Sequence, residues 1–179
     1  NICYMSRATD NTRMPVSDGT VIAAMEDFTL RYKNVAMSGP RYENMQHVRR
    51  GRGPFQTGSR IYSCNFIRNS LPYRWRGRYN EDTDLSIMCL KGGWTTIEFN
   101  AFLQRKLATQ VMKGGNTEAF YAEEGTFLKS QMLVQTHPDV ARLMKRYGRW
   151  HHWVNYDKWR KRPLIKDPSY KPPEKNPYT

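Results

Sequence analysis

Three carboxylates lie close together inside a strongly basic stretch, residues 74–90. Glu81, Asp82 and Asp84 fall within four consecutive positions. The three arginines that precede them are Arg74, Arg76 and Arg78. Carboxylates this dense repel one another unless a metal ion or arginines neutralise them, and such a set is typical of a site that handles a divalent cation, a phosphate or a proton. The alternative is an acid-rich helix start, where Asp and Glu complement the helix dipole.

A helical apolar pattern begins directly after the acids. Leu85, Met88 and Cys89 recur at helical spacing, and Gly92-Gly93 ends the pattern, as glycines after a helix do. The acids are therefore predicted at the N-terminus of a helix or on the loop before it. There, backbone N–H groups and the arginines can hold anionic groups, and one carboxylate can act as a general base on a hydroxyl.

Helices and strands alternate along the rest of the chain, which predicts an α/β sheet covered by helices. Strands are predicted at residues 1–6, 35–38, 61–67, 95–99 and 150–156. Helices are predicted at residues 19–34, 126–136 and 137–148, the last with Val140, Leu143, Met144 and Tyr147 on its buried face. The segments predicted as loops or as a solvated tail are residues 7–16, 47–58 and 163–179.

The chain of 179 residues carries 29 Lys and Arg against 16 Asp and Glu, a net charge of +13. A charge of this size implies a polyanionic partner such as nucleic acid, nucleotide phosphates or an anionic surface. The basic residues are concentrated in residues 141–179, which contain 11 Lys and Arg against three acids. The side chains predicted to bind a DNA backbone are Arg49, Arg50, Arg52, Lys158, Arg160, Lys161 and Arg162.

The cysteines and the hydropathy argue against several classes of protein. Cys3, Cys64 and Cys89 are odd in number and form no C-x-x-C pair, so neither a zinc knuckle nor a disulfide scaffold is indicated. No apolar run approaches the length of about 20 residues that a membrane span needs, and no signal peptide is present. A cytoplasmic protein without a membrane partner is therefore expected.

Histidines are the remaining candidates for binding a metal ion. His137, His151 and His152 could each complete a metal shell, although a histidine in an aromatic strand is more often packed or exposed. Of the neighbouring pair, strand alternation sends only one side chain inward. At most one of the three is expected to be a ligand.

Segments in matching order along residues 1–160 carry a resemblance to a known family. The most specific reads Arg-Gly-Arg-Tyr-Asn-Glu-Asp-Thr-Asp-Leu-Ser at residues 76–86. The others are Arg-Ile-Tyr-Ser-Cys at 60–64, Ile-Glu-Phe-Asn-Ala-Phe-Leu at 97–103, Lys-Gly-Gly-Asn-Thr at 113–117, His-Pro-Asp-Val at 137–140 and Gly-Arg-Trp-His-His-Trp-Val-Asn-Tyr at 148–156. Together they resemble the phage TET-associated DNA glycosyltransferases.

The resemblance implies a GT-A-like fold, a mixed α/β sheet that binds a nucleotide-sugar, normally with a divalent metal such as Mn²⁺ or Mg²⁺. It also implies transfer of the sugar to the hydroxymethyl group of a modified pyrimidine in phage DNA. Glu81, Asp82 and Asp84 match the acidic motif that would supply the base and position the donor, with Asp84 slightly ahead of Asp82 as the base. The arginines before them would bind the donor phosphates. The matching loop near the active site holds Gly114, Gly115 and Asn116.

The start of the chain departs from the family pattern. In the family, an Asp-Asp metal-binding pair stands immediately before an Asn-Ile, and this sequence begins at Asn1-Ile2. An N-terminally truncated member is therefore expected, with a GT-A-like fold that is incomplete at its N-terminus. Residues 1–162 are interpreted as the C-terminal, acceptor-side part of the domain and residues 163–179 as a basic tail.

Two other functions fit part of the sequence. A non-catalytic, basic nucleic-acid-binding module explains the net charge equally well, but three acids inside a basic, aromatic stretch would weaken its binding to DNA. A metal-dependent nuclease also needs clustered acids, yet no further acids at motif-like spacing accompany them. The glycosyltransferase interpretation accounts for both the charge and the acids.

Overall fold

A mixed β-sheet forms the centre of the fold. The computed structural model describes residues 2–6, 13–16, 19–45, 53–105 and 126–173. The strands and helices, in chain order, are β1 (Ile2–Ser6), β2 (Arg13–Val16), α1 (Thr20–Leu30), β3 (Val35–Tyr42), β4 (Phe55–Thr57), β5 (Phe66–Ile67), α2 (Glu81–Lys91), β6 (Thr95–Arg105), α3 (Phe127–Thr136), β7 (Ala141–Arg146), β8 (Arg149–Val154) and α4 (Asp157–Arg160). None of these helices is long and apolar enough to cross a membrane.

β6 is the central strand of the sheet. The strand order is β2-β1-β6-β3-β5, and β4 also pairs with β6. β3 and β6 are parallel, whereas the other pairs are antiparallel. A parallel pair needs a crossover connection, and the segment between these two strands contains α2. The predicted α/β sheet with flanking helices is confirmed.

Helices cover both faces of this sheet. On one face, Val21 and Met25 of α1 form a buried cluster with Ile97 of β6. On the other, Leu85 and Cys89 of α2 belong to a second cluster that includes residues of β3. Because side chains alternate along a strand, the residues of β6 next to Ile97 face the α2 side. The polar side chains of β6 therefore lie near the start of α2.

The C-terminal part of the chain packs on α2. Ile87 and Leu90 form a third buried cluster with Leu133 of α3 and Trp159 of α4. Gly58 allows α4 to approach the sheet closely, because its φ is +65° and a Cβ atom there would lie only 2.4 Å from the carbonyl oxygen of Trp159. α3 and α4 are thus an integral part of the packed structure.

Residues 137–148 do not form the helix that their spacing predicted. β7 and β8 instead form a hairpin with a two-residue turn, Tyr147-Gly148. Both turn residues have positive φ, +50° and +71°, as a type I′ turn requires. The prediction was wrong because a helical period over so short a segment is outweighed by pairing with the aromatic strand β8 and by packing on α3.

Other boundaries also differ from prediction. Residues 13–16 form β2 instead of a loop because they pair with β1, and residues 55–57 pair with β6. β3 continues through Gly39-Pro40, since its parallel register with β6 extends to Tyr42. Only Phe66–Ile67 of the strand predicted at 61–67 pairs with a neighbour. The residues before it turn toward α2, where the Ile61 N–H donates to Ser86 Oγ at 3.2 Å.

The segment after residue 162 packs on the domain in its first part. Leu164 contacts the cluster under α1. The backbone of Ile165 exchanges hydrogen bonds with the turn between α1 and β3, accepting from the Lys33 N–H and donating to Asn34 Oδ1, both at 2.9 Å. Residues 163–165 are therefore part of the packed structure, unlike the predicted solvated tail.

Candidate active site

Asp82 lies in the first turn of α2, with its side chain 24% exposed. Oδ1 accepts hydrogen bonds from the backbone N–H of Thr83 at 2.6 Å and from its hydroxyl at 3.1 Å. Oδ2 lies 3.9 Å from Nε of Arg60, a distance at which charge acts but no hydrogen bond forms. Oδ2 accepts no hydrogen bond from the described residues, so this oxygen is the one that a substrate hydroxyl can reach.

Arg60 is the cation that accompanies Asp82. Its Nη1 donates to Thr83 Oγ1 at 3.0 Å, and its guanidinium carbon lies 4.2 Å from the centre of the Tyr62 ring. Burial alone would lower the pKa of Arg60, but the charge of Asp82 and the neighbouring tyrosines raise it. A fixed guanidinium in this position can stabilise the carboxylate and can bind an anionic group of a ligand.

Two groups from the C-terminal part of the chain border the same site. Burial and the positive charge of Arg60 lower the pKa of His152 to about 4, whereas Asp82 acts in the opposite direction. Burial raises the pKa of Tyr156 in spite of Arg60. Both side chains are therefore uncharged near neutral pH. As strand alternation predicted, only one of the two neighbouring histidines is turned inward, since His151 is exposed.

Glu98 is a buried carboxyl group on the α2 side of β6, only 3% exposed. Oε2 accepts a hydrogen bond from Gln56 of β4, and Nη1 of Arg41 lies 3.7 Å from it. Burial raises the pKa of Glu98, and the charges of Arg41 and Arg60 together with hydrogen bonding from Gln56 and Ser59 offset this only in part. Glu98 is therefore a buried carboxyl group whose charged form the fold keeps at a net cost.

Asp84 lies two residues after Asp82 but has a different environment, being only 1% exposed. It accepts hydrogen bonds from Nε and Nη2 of Arg76, at 2.9 and 3.1 Å, and from Nε2 of His137 at 2.7 Å. Burial opposes its charged form, but these hydrogen bonds outweigh burial and lower the pKa of Asp84. A carboxylate held by three donors is a weak base. The geometry therefore favours Asp82 over Asp84 as the base, the reverse of the order expected from the sequence.

The contacts of Asp84 continue through His137 to a further ion pair. Nδ1 of His137 lies 3.2 Å from Nζ of Lys91, and because an ammonium group can only donate, Nδ1 accepts and Nε2–H donates to Asp84. Lys91 also contacts Asp139 at 2.5 Å, and Asp139 lies 3.6 Å from Lys158. We call this set the polar chain; its members are Arg76, Asp84, His137, Lys91, Asp139 and Lys158.

The other residues predicted to bind the donor lie in different surroundings. Arg74 donates to the carbonyl oxygens of Leu71 and Tyr73, within its own loop. The guanidinium carbon of Arg78 lies 5.7 Å from the centre of the Tyr79 ring. Glu81, in the first turn of α2, is exposed. The loop residues that lie outside the described part of the chain are Gly114, Gly115 and Asn116. Phosphate binding by these residues stays a prediction.

Among the residues predicted to bind DNA, Arg162 has an internal position. Its Nη1 donates to the carbonyl oxygen of Leu90 at 2.8 Å and to that of Trp94. The Leu90 carbonyl lies at the C-terminal end of α2, where a positive charge is favourable, and Trp94 directly precedes β6. Arg162 therefore links the end of α2 to the start of β6. The exposed members of the set are Lys158, Arg160 and Lys161, and those outside the described residues are Arg49, Arg50 and Arg52.

The histidines and acids do not combine into a metal site within the described residues. No three His, Cys, Asp or Glu side chains among them are arranged to hold a metal ion. His137 uses both ring nitrogens in the polar chain, and His151 is exposed on the hairpin. His152 lies near Arg60, whose charge disfavours a cation. The expectation of Mn²⁺ or Mg²⁺ stays a prediction, and none of these side chains is assigned to it.

Comparison with known families supports the family resemblance that the acidic segment carried. The sequence profile of the family described as TET-Associated Glycosyltransferase matches residues 2–115, well over half of the chain. The chain belongs to the TET-associated glycosyltransferase family. The matched segment contains Asp82, Arg60 and Glu98, whereas α3, the hairpin and α4 lie beyond it. Neither the curated proteins nor the solved structures gave a significant match.

Arg60 and Glu98 were not predicted from the sequence as site residues. Both stand in segments that carried the family resemblance, 60–64 and 97–103, so a signal for them was present. Neither lies near Asp82 in sequence, and no residue spacing joins them. The turn of residues 58–61 toward α2 brings Arg60 to Asp82, and strand alternation places Glu98 on the same side of the sheet.

Replacement of Glu98 with glutamine is expected to raise the melting temperature near pH 8 by about 3 °C, since relief of a buried carboxylate whose burial its partners offset only in part is worth on the order of 1 kcal/mol. The pKa of Glu98 lies above its ordinary value of 4.5 in the folded protein. The wild-type chain therefore loses stability as the pH rises from 4.5 through the folded pKa. The difference in melting temperature between the two proteins should shrink as the pH approaches 4.5.

The matched control for this substitution is Glu26→Gln, which changes an exposed carboxylate of α1. Its melting temperature should follow that of the wild-type chain across the pH range, because an exposed carboxylate remains hydrated in both the folded and unfolded states. Equal or lower stability of Glu98→Gln near pH 8 would contradict a net cost of burying the charged form of Glu98.

Proposed function

We propose that this TET-associated glycosyltransferase moves a sugar from a nucleotide-sugar to the hydroxymethyl group of a modified pyrimidine in DNA. The observation that carries the proposal is the placement of Asp82. It is a partly exposed carboxylate in the first turn of α2, with one oxygen fixed by Thr83 and the other directed toward Arg60. Membership of a glycosyltransferase family and a net charge of +13 support the same assignment.

Asp82 acts as the general base in the proposed reaction. Its Oδ2 accepts the proton of the hydroxymethyl group while the hydroxymethyl oxygen attacks the anomeric carbon of the sugar. The new carbon–oxygen bond forms as the bond between the anomeric carbon and the phosphate oxygen breaks. The proton ends on Asp82, and the electron pair of the broken bond leaves with the nucleotide diphosphate.

Arg60 serves the same reaction in two ways. Its Nη1 donates to Thr83 Oγ1 and so holds the first turn of α2 in place, and its charge can offset the negative charge that develops on the departing diphosphate. His152 and Tyr156 are uncharged near neutral pH, so they border the site without adding a charge beside Asp82 and Arg60.

The GT-A-like assignment is part of this proposal. It is supported by the parallel pair β3 and β6, which are joined through α2, and by the acid motif at the beginning of that helix. In open α/β sheets, ligands bind outside the carboxyl ends of the parallel strands. The nucleotide-sugar, the modified DNA and a divalent metal are the partners that this assignment implies, and a cytoplasmic location suits them.

The test of the function is transfer of one sugar residue to hydroxymethylated DNA. The purified chain would be incubated with a panel of nucleotide-sugars and with DNA that contains hydroxymethylcytosine or hydroxymethyluracil. Nucleosides released by digestion would then be measured by mass spectrometry. We expect the mass of one sugar residue on the hydroxymethyl nucleoside and none on the matched unmodified DNA.

Two other results would replace the proposal by one of its alternatives. Strand cleavage without a sugar adduct would indicate a nuclease. DNA binding without transfer or cleavage under any donor and divalent cation would indicate a non-catalytic nucleic-acid-binding module.

A further inference from the structure

The hairpin of β7 and β8 has two different faces, because side chains alternate along paired strands. The inner face packs on α3: Ala141 and Val154 contact the cluster around Leu133, and the Phe127 ring meets the Trp150 ring edge-on at 5.4 Å. The outer face consists of Arg142, Met144, Arg146, Arg149, His151 and Trp153. The hairpin is thus anchored on one side only.

The outer face is basic, aromatic and open to solvent. All of its members except Met144 are exposed. Between Asp139 and Asp157 the chain has four Lys and Arg residues and no Asp or Glu. The guanidinium carbon of Arg142 lies 4.2 Å from the centre of the Trp153 ring, which orders both side chains. Phosphates favour such cations, and bases or sugars favour such rings.

The tip of the hairpin carries an unusual residue for its turn. Tyr147 has a φ of +50° and a side chain that is 94% exposed. Asn, Asp or Gly is the usual choice at this position of a type I′ turn, because other side chains are disfavoured at positive φ. No packing compensates the strain, since the ring lies in solvent. A strained residue kept at an exposed tip points to contact with a partner.

The hairpin also borders the site at Asp82. His152, in the middle of β8 on the inner face, is close enough that both Arg60 and Asp82 shift its pKa. Tyr147 lies five residues before His152, about 16 Å along the strand. A duplex that reaches from the site to the tip would span roughly five base pairs. The hairpin is thus close to the site at Asp82 through its inner face, while its outer face stays open to solvent and can contact DNA that extends beyond the site.

We propose that the hairpin β7–β8 is a docking arm for duplex DNA. Arg142 and Arg146 bind phosphates of the backbone, and the Tyr147 ring stacks on a base or sugar at the tip. This deepens the proposed function, on which it rests for the choice of DNA as the acceptor. The arm lies beyond the family-matched segment, residues 2–115, and it was not among the residues predicted to bind DNA.

The phosphate contacts are tested by the salt dependence of binding to unmodified duplex DNA. Each phosphate contact contributes about 0.9 to the slope of log affinity against log salt concentration. The double variant Arg142→Ala/Arg146→Ala should therefore have a slope smaller by about two. The charge-matched control is Lys33→Ala/Lys171→Ala, which removes two exposed lysines elsewhere in the chain and should leave the slope unchanged.

The ring at the tip is tested by Tyr147→Asn. Asparagine suits the turn, so this variant should melt at the wild-type temperature or above it. Its affinity for duplex DNA should fall about tenfold with no change in the salt slope, because no charge is lost. Its affinity for inorganic polyphosphate, a polyanion without bases or sugars, should equal that of the wild-type chain.

These measurements need no sugar transfer, so their outcome is separate from that of the proposed function. An unchanged salt slope for the Arg142→Ala/Arg146→Ala variant, or an equally reduced slope in the lysine control, would contradict the proposal that the hairpin binds DNA. An equal loss of polyphosphate affinity by Tyr147→Asn would contradict stacking of the ring on a base or sugar. If the chain transfers sugar but none of these variants changes its DNA binding, the proposed function is supported and the docking role of the hairpin is contradicted.

Discussion

Replacing Asp82 with asparagine is expected to reduce sugar transfer about 10²- to 10⁴-fold, the usual contribution of a general base. The amide oxygen can still accept the hydrogen bonds from Thr83, so the first turn of α2 keeps its shape. What is lost is the oxygen that takes the proton of the hydroxymethyl group. The rate would be measured as sugar incorporated into hydroxymethylated DNA, with the melting temperature recorded in parallel.

Glu81→Gln is the matched control for this experiment. It changes the neighbouring, exposed carboxylate in the same helical turn and removes the same charge from the site. Transfer by Glu81→Gln should stay within a few-fold of the wild-type rate, and both variants should bind DNA at least as tightly as the wild-type chain because each removes a negative charge. Equal losses in the two variants would mean that charge, and not proton transfer, is the contribution of Asp82.

Replacing Asp84 with asparagine is expected to lower the free energy of unfolding by about 2 kcal/mol, because hydrogen bonds to a buried charged acceptor contribute about 1.5–3 kcal/mol. The loss comes mainly from His137, which is 2% exposed and would keep its buried N–H without a charged acceptor. Arg76 is half exposed and can be rehydrated, so its share is small. The measurement is equilibrium denaturation by urea or guanidinium at neutral pH.

The pH dependence of the same difference checks its electrostatic origin. The pKa of Asp84 in the folded protein lies below its ordinary value of 3.8. Its contribution to stability is therefore present above pH 3.8 and is lost as the pH falls through the folded value. Glu43, whose pKa the hydrogen bond from Arg105 lowers to about 2, destabilises both proteins in acid and cancels in the difference.

A surface ion pair provides the control for Asp84. Asp157 also stands in the first turn of a helix and faces an arginine, Arg160, at 3.4 Å, but both side chains are exposed. Asp157→Asn should change the free energy of unfolding by less than about 0.5 kcal/mol. A comparable loss in both variants, or no loss in Asp84→Asn, would contradict the structural role of Asp84.

The parts of the fold that depend on local sequence could be predicted. α2 has an apolar face, acids in its first turn and glycines at its end, and all three signals agree. The helices at Thr20–Leu30 and Phe127–Thr136 likewise follow from apolar spacing. β6 was predicted over its first five residues, because these are rich in β-branched and aromatic side chains.

The failed predictions concern segments whose structure depends on distant partners. Residues 61–65 have strand-forming side chains, yet Ile61 binds Ser86 of α2 instead of a neighbouring strand. Residues 141–146 fit a helical period but pair with β8. In both cases tertiary contacts outweigh local preference, and a single sequence contains no measure of those contacts.

The candidate site was predicted as a stretch of sequence but not as a geometry. The spacing of Glu81, Asp82 and Asp84 indicated a cluster, yet it carried no sign that one carboxylate would be exposed and another fully buried. That difference is set by His137, which arrives from the far side of α2. The pairing of Asp82 with Arg60 also depends on a contact between distant segments, since the turn of residues 58–61 toward α2 brings Arg60 to Asp82.

The polar chain gives the two neighbouring aspartates different evolutionary constraints. Asp84 can be exchanged only together with its donors Arg76 and His137, because each member of a buried pair is costly without the others. Asp82 is partly exposed, and its side chain accepts hydrogen bonds only from Thr83 among the described residues and lies 3.9 Å from Arg60. Its loss therefore leaves the fold intact. A descendant of this chain that had lost catalysis but kept its DNA contacts would therefore be recognised by a substituted Asp82 beside an unchanged Asp84.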